Sequence, residues 1–195
     1  MTVAASKSLD VLLEGNERFR SGRSTHYTYT EELLSALAER QSPIAAILAC
    51  SDSRVSPEVM FDQPLGSVFA ARTPGNVSAD SVKWMIDIAV EALEVPLMLV
   101  VAHTGCLAVT QVVEGDLTGP GGVLRTQISS ALMRAKSMQT PNLMRTTLEE
   151  NVYETITRLS NESNELRTAL LRGKCTIAGA VYDMHTGRVE VLPPR

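Results

Sequence analysis

Two short runs, Ile44-Ala45-Ala46-Ile47-Leu48-Ala49 and Leu97-Met98-Leu99-Val100-Val101-Ala102, contain no polar residue. Strands buried on both faces of a parallel sheet read this way, whereas half-exposed strands alternate. Around them the pattern turns helical. Val82, Met85, Ile86, Ala89, Val90 and Leu93 keep the i, i+3, i+4, i+7 spacing behind Asp80 as the expected cap, and Pro96 ends that helix. A first helix is expected from about Ser8 to Arg20, with Leu9, Leu12, Leu13 and Phe19 apolar. A second covers Glu31 to Arg40 and breaks at Ser42-Pro43. Ser56 is the expected cap of a short helix opened by Pro57, and Val68-Phe69-Ala70-Ala71 reads as a strand ending in Arg72. Gly119-Pro120-Gly121-Gly122 reads as a structural turn, because no strand precedes it and no Gly-Lys-Ser/Thr follows. Helices are expected over about 123–138 and 142–172, with Met133, Met138 and Met144 as core filler. Strand 175–182, a turn over Asp183-Met184-His185-Thr186-Gly187 and strand 188–192 close the chain.

Strands alternating with helices imply an α/β fold. The expectation is a mainly parallel four- to five-stranded sheet flanked by helices, formed as one domain over 1–195, with the last strand an antiparallel edge partner. The N-terminal helix, amphipathic and set off by a polar loop, is expected to extend from that body.

Composition narrows the function classes. A net charge of −4 with a pI near 5.4 provides no basic stripe to neutralise phosphates, and 4% aromatic residues provide few stacking platforms, so nucleic acid is excluded as a partner. No apolar stretch approaches membrane-spanning length, so no membrane partner is expected. Three cysteines without an export signal point to a reducing compartment and a cytoplasmic location rather than a disulfide framework.

The chemistry gathers where the apolar runs end. Cys50-Ser51-Asp52-Ser53-Arg54 follows the first, and His103-Thr104-Gly105-Cys106 follows the second. Taken singly, each cysteine is a small buried hydrophobe and His103 a satisfied core histidine. Together, at the carboxyl ends of two parallel strands, they form a set of soft sulfur and borderline nitrogen that suits Zn²⁺ better than Mg²⁺ or Ca²⁺. Asp52 alone is a turn cap and Arg54 a surface charge. Side by side they form a pair able to make a forked contact. Cys175 reads as buried and inert, and His26 and His185 as solvated.

These residues resemble the β-class carbonic anhydrases along nearly the whole chain. The motifs are Cys50-x-Asp52-Ser53-Arg54 with His103-x-x-Cys106, Val68-Phe69-Ala70-Ala71-Arg72 before Gly75-Asn76, Leu13 to Phe19, and Gly179-Ala180-Val181-Tyr182-Asp183 with Thr186-Gly187. The resemblance implies a zinc enzyme interconverting CO2 and bicarbonate, assembled as a homodimer or a dimer of dimers. It implies Cys50, His103 and Cys106 as zinc ligands and Asp52 with Arg54 as a gating dyad, Asp52 joining the metal only in a closed state. Gln41, Phe69 and Gly105 would contact substrate. Ile47 stands where a regulated subgroup carries tryptophan, which favours the plant-like subgroup. Leu107 replaces the family's usual glycine after the second cysteine, and Thr73-Pro74 replaces its usual asparagine. Those changes keep two other readings in view: a COS or CS2 hydrolase on the same scaffold, and a non-catalytic zinc-stabilised binding protein.

Overall fold

The computed structural model describes residues 1–115 and 122–195, so most of the expected turn at 119–122 lies outside the described residues. Five strands form one sheet: β1 (Ala45–Cys50), β2 (Val68–Thr73), β3 (Leu97–His103), β4 (Thr176–Tyr182) and β5 (Val189–Val191). Their order is β2-β1-β3-β4-β5. The first four run parallel, and β5 returns antiparallel to β4 as the sequence predicts. The chain leaves β1 for β2 on one side and reaches β3 on the other. This order therefore has its topological switch point between β1 and β3, where open α/β sheets place ligands.

Alternation along the two apolar strands divides the core. Ala46, Leu48, Met98, Val100 and Ala102 meet α4 (Asp80–Glu91), α5 (Leu107–Glu114), α6 (Gly122–Ser137), α7 (Leu143–Glu162) and α8 (Asn164–Leu171). Ala45, Ile47, Ala49, Leu97, Leu99 and Val101 meet α1 (Val3–Arg20) and α3 (Pro57–Met60) on the other face. Every residue of β1 and β3 is buried, which is why neither strand alternates in polarity.

Several elements depart from the sequence expectation for identifiable reasons. The first helix begins five residues early because Thr2 accepts the Ala5 N–H at 3.1 Å and caps it. It does not extend from the body. Ala5, Leu9 and Leu12 are buried against the chain's own Phe61, Met60 and β3. Helix 142–172 is two helices, because Ser163 leaves helical geometry, caps α8 through the Leu166 N–H at 2.9 Å and donates to Asp87 at 2.6 Å. Asp80 is not a cap but the first residue of α4, paired with Lys83 at 2.7 Å, and Ser56 makes no capping bond. Met133 and Met138 are exposed on α6 and just beyond it, whereas Met144 packs on the core.

The N-terminal helix is fixed by one buried amide. Asn16 donates to the carbonyls of Met60 (2.9 Å) and Gly187 (2.8 Å) and accepts the Val189 N–H (2.9 Å). It thereby ties α1 to α3 and to the start of β5. Asn16→Ala leaves three backbone groups short of a partner and should lower unfolding stability by about 3 kcal/mol, read from the midpoint of urea denaturation.

Candidate metal centre

Cys50 is the last residue of β1, His103 the last of β3, and Cys106 precedes α5. The register pairs Leu48 with Val100, so both strands end at nearly the same level. A tight turn at Gly105 (φ 68°), a left-handed conformation suited to glycine, brings Cys106 back over the strand ends. The ligand atoms of Cys50, His103 and Cys106 all lie within 4.8 Å of one another, and all three residues are buried. The two sulfurs are 3.9 Å apart. Two Zn–S bonds of ~2.3 Å at a tetrahedral angle would separate them by about 3.8 Å, so the set already has the spacing zinc requires.

The imidazole is oriented for the same task. Its Nδ1 lies 3.0 Å from the Thr104 carbonyl and 3.1 Å from the Met184 sulfur. A carbonyl only accepts, so Nδ1 carries the proton and Nε2 presents a lone pair. His103 Nε2 is buried with no hydrogen-bond partner among the described residues. A buried acceptor without a donor costs free energy that a metal ion would offset.

Without a cation the two sulfurs share their protons unequally. Cys50 is held well below the ordinary thiol range, chiefly by the hydrogen bond from Cys106 and then by the backbone N–H groups of Asp52 and Gly75, against its burial. Cys106 is pushed up, first by its bond to Cys50 and then by burial and the neighbouring negative charge. Cys175 is far in sequence from this set, and burial pushes its thiol up to about 11, consistent with an inert cysteine.

Asp52 is engaged by Arg54. Its carboxylate accepts Arg54 Nε at 2.9 Å on one oxygen and Arg54 Nη2 at 2.7 Å on the other, a forked contact, and also accepts the Arg54 N–H at 3.0 Å. Turn capping and ion pairing therefore coexist. The Arg54 guanidinium holds the Asp52 carboxyl well below the usual carboxylate range. Even so, Asp52 Oδ2 stands 4.0 Å from His103 Nε2, within a short swing of the ligand atoms. Gly105 joins the group, its carbonyl 3.4 Å from Arg54 Nη2.

The other two expected substrate contacts are not brought here within one chain. Gln41 is exposed before β1, in a cavity of about 560 Å³ with Leu34, Leu37 and Leu65. The length of β1, ~20 Å, separates it from Cys50. Phe69 pairs with Ala46, four residues before Cys50, and packs into the helical core. Conversely, Arg72 has a role the sequence did not disclose. Its Nε donates to the Cys50 carbonyl at 3.0 Å and its Nη2 to the Asp52 carbonyl, clamping the loop that carries ligand and dyad. Met184 was equally unmarked, because its contact with His103 arises from the sheet bringing the end of β4 beside β3.

The carbonic anhydrase family model matches residues 45–189. Carbonic anhydrase 2 of Mycobacterium tuberculosis is 36% identical over 190 residues, covering 95% of this chain and 90% of that protein. Among solved structures, the β-carbonic anhydrase CafA of Aspergillus fumigatus superposes with a TM-score of 0.70 at 26% identity, covering 83% of this chain and 80% of that one. Two tetrameric β-carbonic anhydrases from Sordaria macrospora share the fold at 18% identity, with a TM-score of 0.71 and 97% and 95% coverage.

Metal uptake should follow the unequal thiols. At pH 7 the metal-free protein holds Cys50 as thiolate and Cys106 as thiol, so zinc binding should release about one proton per ion, and affinity should rise about tenfold per pH unit. Zinc titration in weak buffer with a pH indicator measures this.

Proposed function

This chain belongs to the β-carbonic anhydrase family, and from that membership we propose that it hydrates CO2 reversibly to bicarbonate and a proton, using one Zn²⁺ held by Cys50, His103 and Cys106. One observation carries the reading. Two sulfurs and an imidazole lone pair converge while Asp52, the group nearest to becoming a fourth ligand, is held off by Arg54. Three protein ligands with one position open is the catalytic pattern for zinc, whereas four filled positions are structural. Bound there, zinc would make water ionise near pH 7 and so supply a nucleophile for CO2.

The chain's own residues do the rest. Asp52 orients the attacking water by accepting a hydrogen bond from it. Arg54 keeps Asp52 ionised and off the metal. Because the folded-state carboxyl is depressed, the pair's stabilisation is present above the unfolded value of about 3.9 and is lost as pH falls through the lower folded value. Protonation of Asp52 therefore plays no part in gating at neutral pH. Gly105 fixes the outer face of the guanidinium through its carbonyl. The free thiols needed for zinc fit a reducing compartment such as the cytoplasm.

Assembly as a homodimer or a dimer of dimers has its own support. Helix α2 (Glu31–Glu39) has no buried residue, and Leu33 and Leu34 are exposed, as are Val59 and Leu65. A second copy covering this face would also give Gln41 a centre to act on, since its own lies at the far end of β1.

Two measurements test the reading. In stopped flow, the zinc-loaded protein should hydrate CO2 far faster than it hydrolyses COS. Arg54→Ala should retain its zinc yet lose about a hundredfold or more in rate, with Asp52 on the metal in its crystal structure, and Arg54→Lys should not restore full rate. Preferential COS hydrolysis would instead establish the hydrolase. In light scattering, the protein should run as a dimer or larger at micromolar concentration, and Leu33→Glu with Leu34→Glu should shift it toward monomer.

A further inference from the structure

A cluster of uncharged polar side chains lies in the apolar layer between the sheet and the helices, outside the ligand set and the dyad. Gln127 on α6 and Asn151 and Thr155 on α7 are each fully buried. Burying them costs free energy unless every donor and acceptor is used. Gln127 uses all of its side chain. Its Oε1 accepts the Ser78 N–H at 3.1 Å, and its Nε2 donates to Thr155 Oγ1 at 2.5 Å and Asn151 Oδ1 at 3.4 Å. The other two then reach one short segment. Asn151 Nδ2 donates to the Gly75 carbonyl at 2.7 Å, and Thr155 Oγ1 donates to the Asn76 carbonyl at 3.1 Å.

That segment, the 3₁₀ turn Pro74–Asn76, holds Gly75 at φ 62° with its N–H 3.3 Å from Cys50 Sγ. A side chain on Gly75 would meet Ile128 Cδ1 at 3.0 Å as well as being strained. Helix α7 thus pins two carbonyls of the turn whose amide points at a sulfur ligand, and Gln127 of α6 braces Thr155, Asn151 and the following Ser78. Three buried polar side chains are a costly way merely to hold a loop, and an apolar contact could do that. Hydrogen bonds also fix the direction of the two peptide planes that follow Gly75, and through its Cα they hold in place the plane that carries its N–H.

We infer that Gln127, Asn151 and Thr155 are positioning residues for the metal thiolate: they aim the Gly75 N–H at Cys50 Sγ. The inference rests on the metal reading above. An N–H···S bond withdraws electron density from a thiolate, so the set of three tunes how much charge Cys50 gives to the metal, as partners of metal ligands commonly do. Removal of the Thr155 hydroxyl takes the partner from the Asn76 carbonyl, leaves Gln127 Nε2 only its long bond to Asn151, and lets the turn rotate.

The test reads the bond directly. Wild-type protein loaded with ¹¹³Cd should show a cadmium resonance in the range of thiolate coordination. The Gly75 amide proton should be shifted downfield and scalar-coupled to the cadmium through Cys50. Thr155→Val should lose most of that coupling and weaken zinc binding about tenfold, and Thr155→Ser should restore both. In the cobalt(II) form, Thr155→Val should move the sulfur-to-metal charge-transfer band to lower energy. A cadmium-thiolate signal with no Gly75 coupling in the wild type overturns this inference alone, even if Thr155→Val fails to fold. Coupling unchanged in a folded but destabilised Thr155→Val also overturns it, leaving the cluster structural. Failure to take up cadmium on the cysteines overturns the metal reading and this inference together.

Discussion

Two sulfur atoms held 3.9 Å apart in a buried site cannot both be thiolates unless a cation lies with them. Like charges at that distance repel strongly at low effective dielectric, and burial penalises each separately. The metal-free chain resolves the conflict by keeping the proton on Cys106 and the charge on Cys50. His103, its lone pair aimed at the same space with no donor to meet it, adds a second unmet requirement. One dication would satisfy all three groups at once.

That arrangement is a property of the sheet. Fully buried parallel strands make β1 and β3 rigid, and their shared register ends both at the switch point. Each ligand is then held from behind. Arg72 clamps the carbonyls on either side of Ser51, Thr104 fixes the imidazole tautomer, and Asn151 and Thr155 of α7 pin the turn facing Cys50. Exposed and buried charge are used differently. Arg54 stays largely in solvent, where its desolvation is small, and Asp52 reaches out to it. A pair of that kind breaks at modest cost, as a switchable contact requires.

The pocket is less complete than the ligand set. Gln41 lies beyond the far end of β1 and Phe69 in the helical core, while the exposed leucines of α2 sit near Gln41 in an uncovered apolar cavity. The candidate ligand set is thus assembled within one chain together with Gly105, whereas Gln41 and Phe69 are not brought to it.

The sequence alone determined what depends on local pattern. Uninterrupted apolar runs marked β1 and β3 because both faces of those strands are buried. Their ends marked Cys50, His103 and Cys106 because ligand type and strand-end position are both written in adjacent residues. The Asp52–Arg54 pair was legible for the same reason, being only two residues apart. Tertiary structure decided whatever joins distant segments. Thr2 as a cap, the break at Ser163 fixed by Asp87, and the return of α1 onto its own sheet through Asn16 all depend on partners that no short-range periodicity encodes. The grip of Arg72 on the Cys50 loop and of Gln127, Asn151 and Thr155 on Gly75 was invisible in the same way. A polar residue in a helical stretch reads as solvent-facing until the fold encloses it, and hydrogen-bond partners tens of residues apart are chosen by packing.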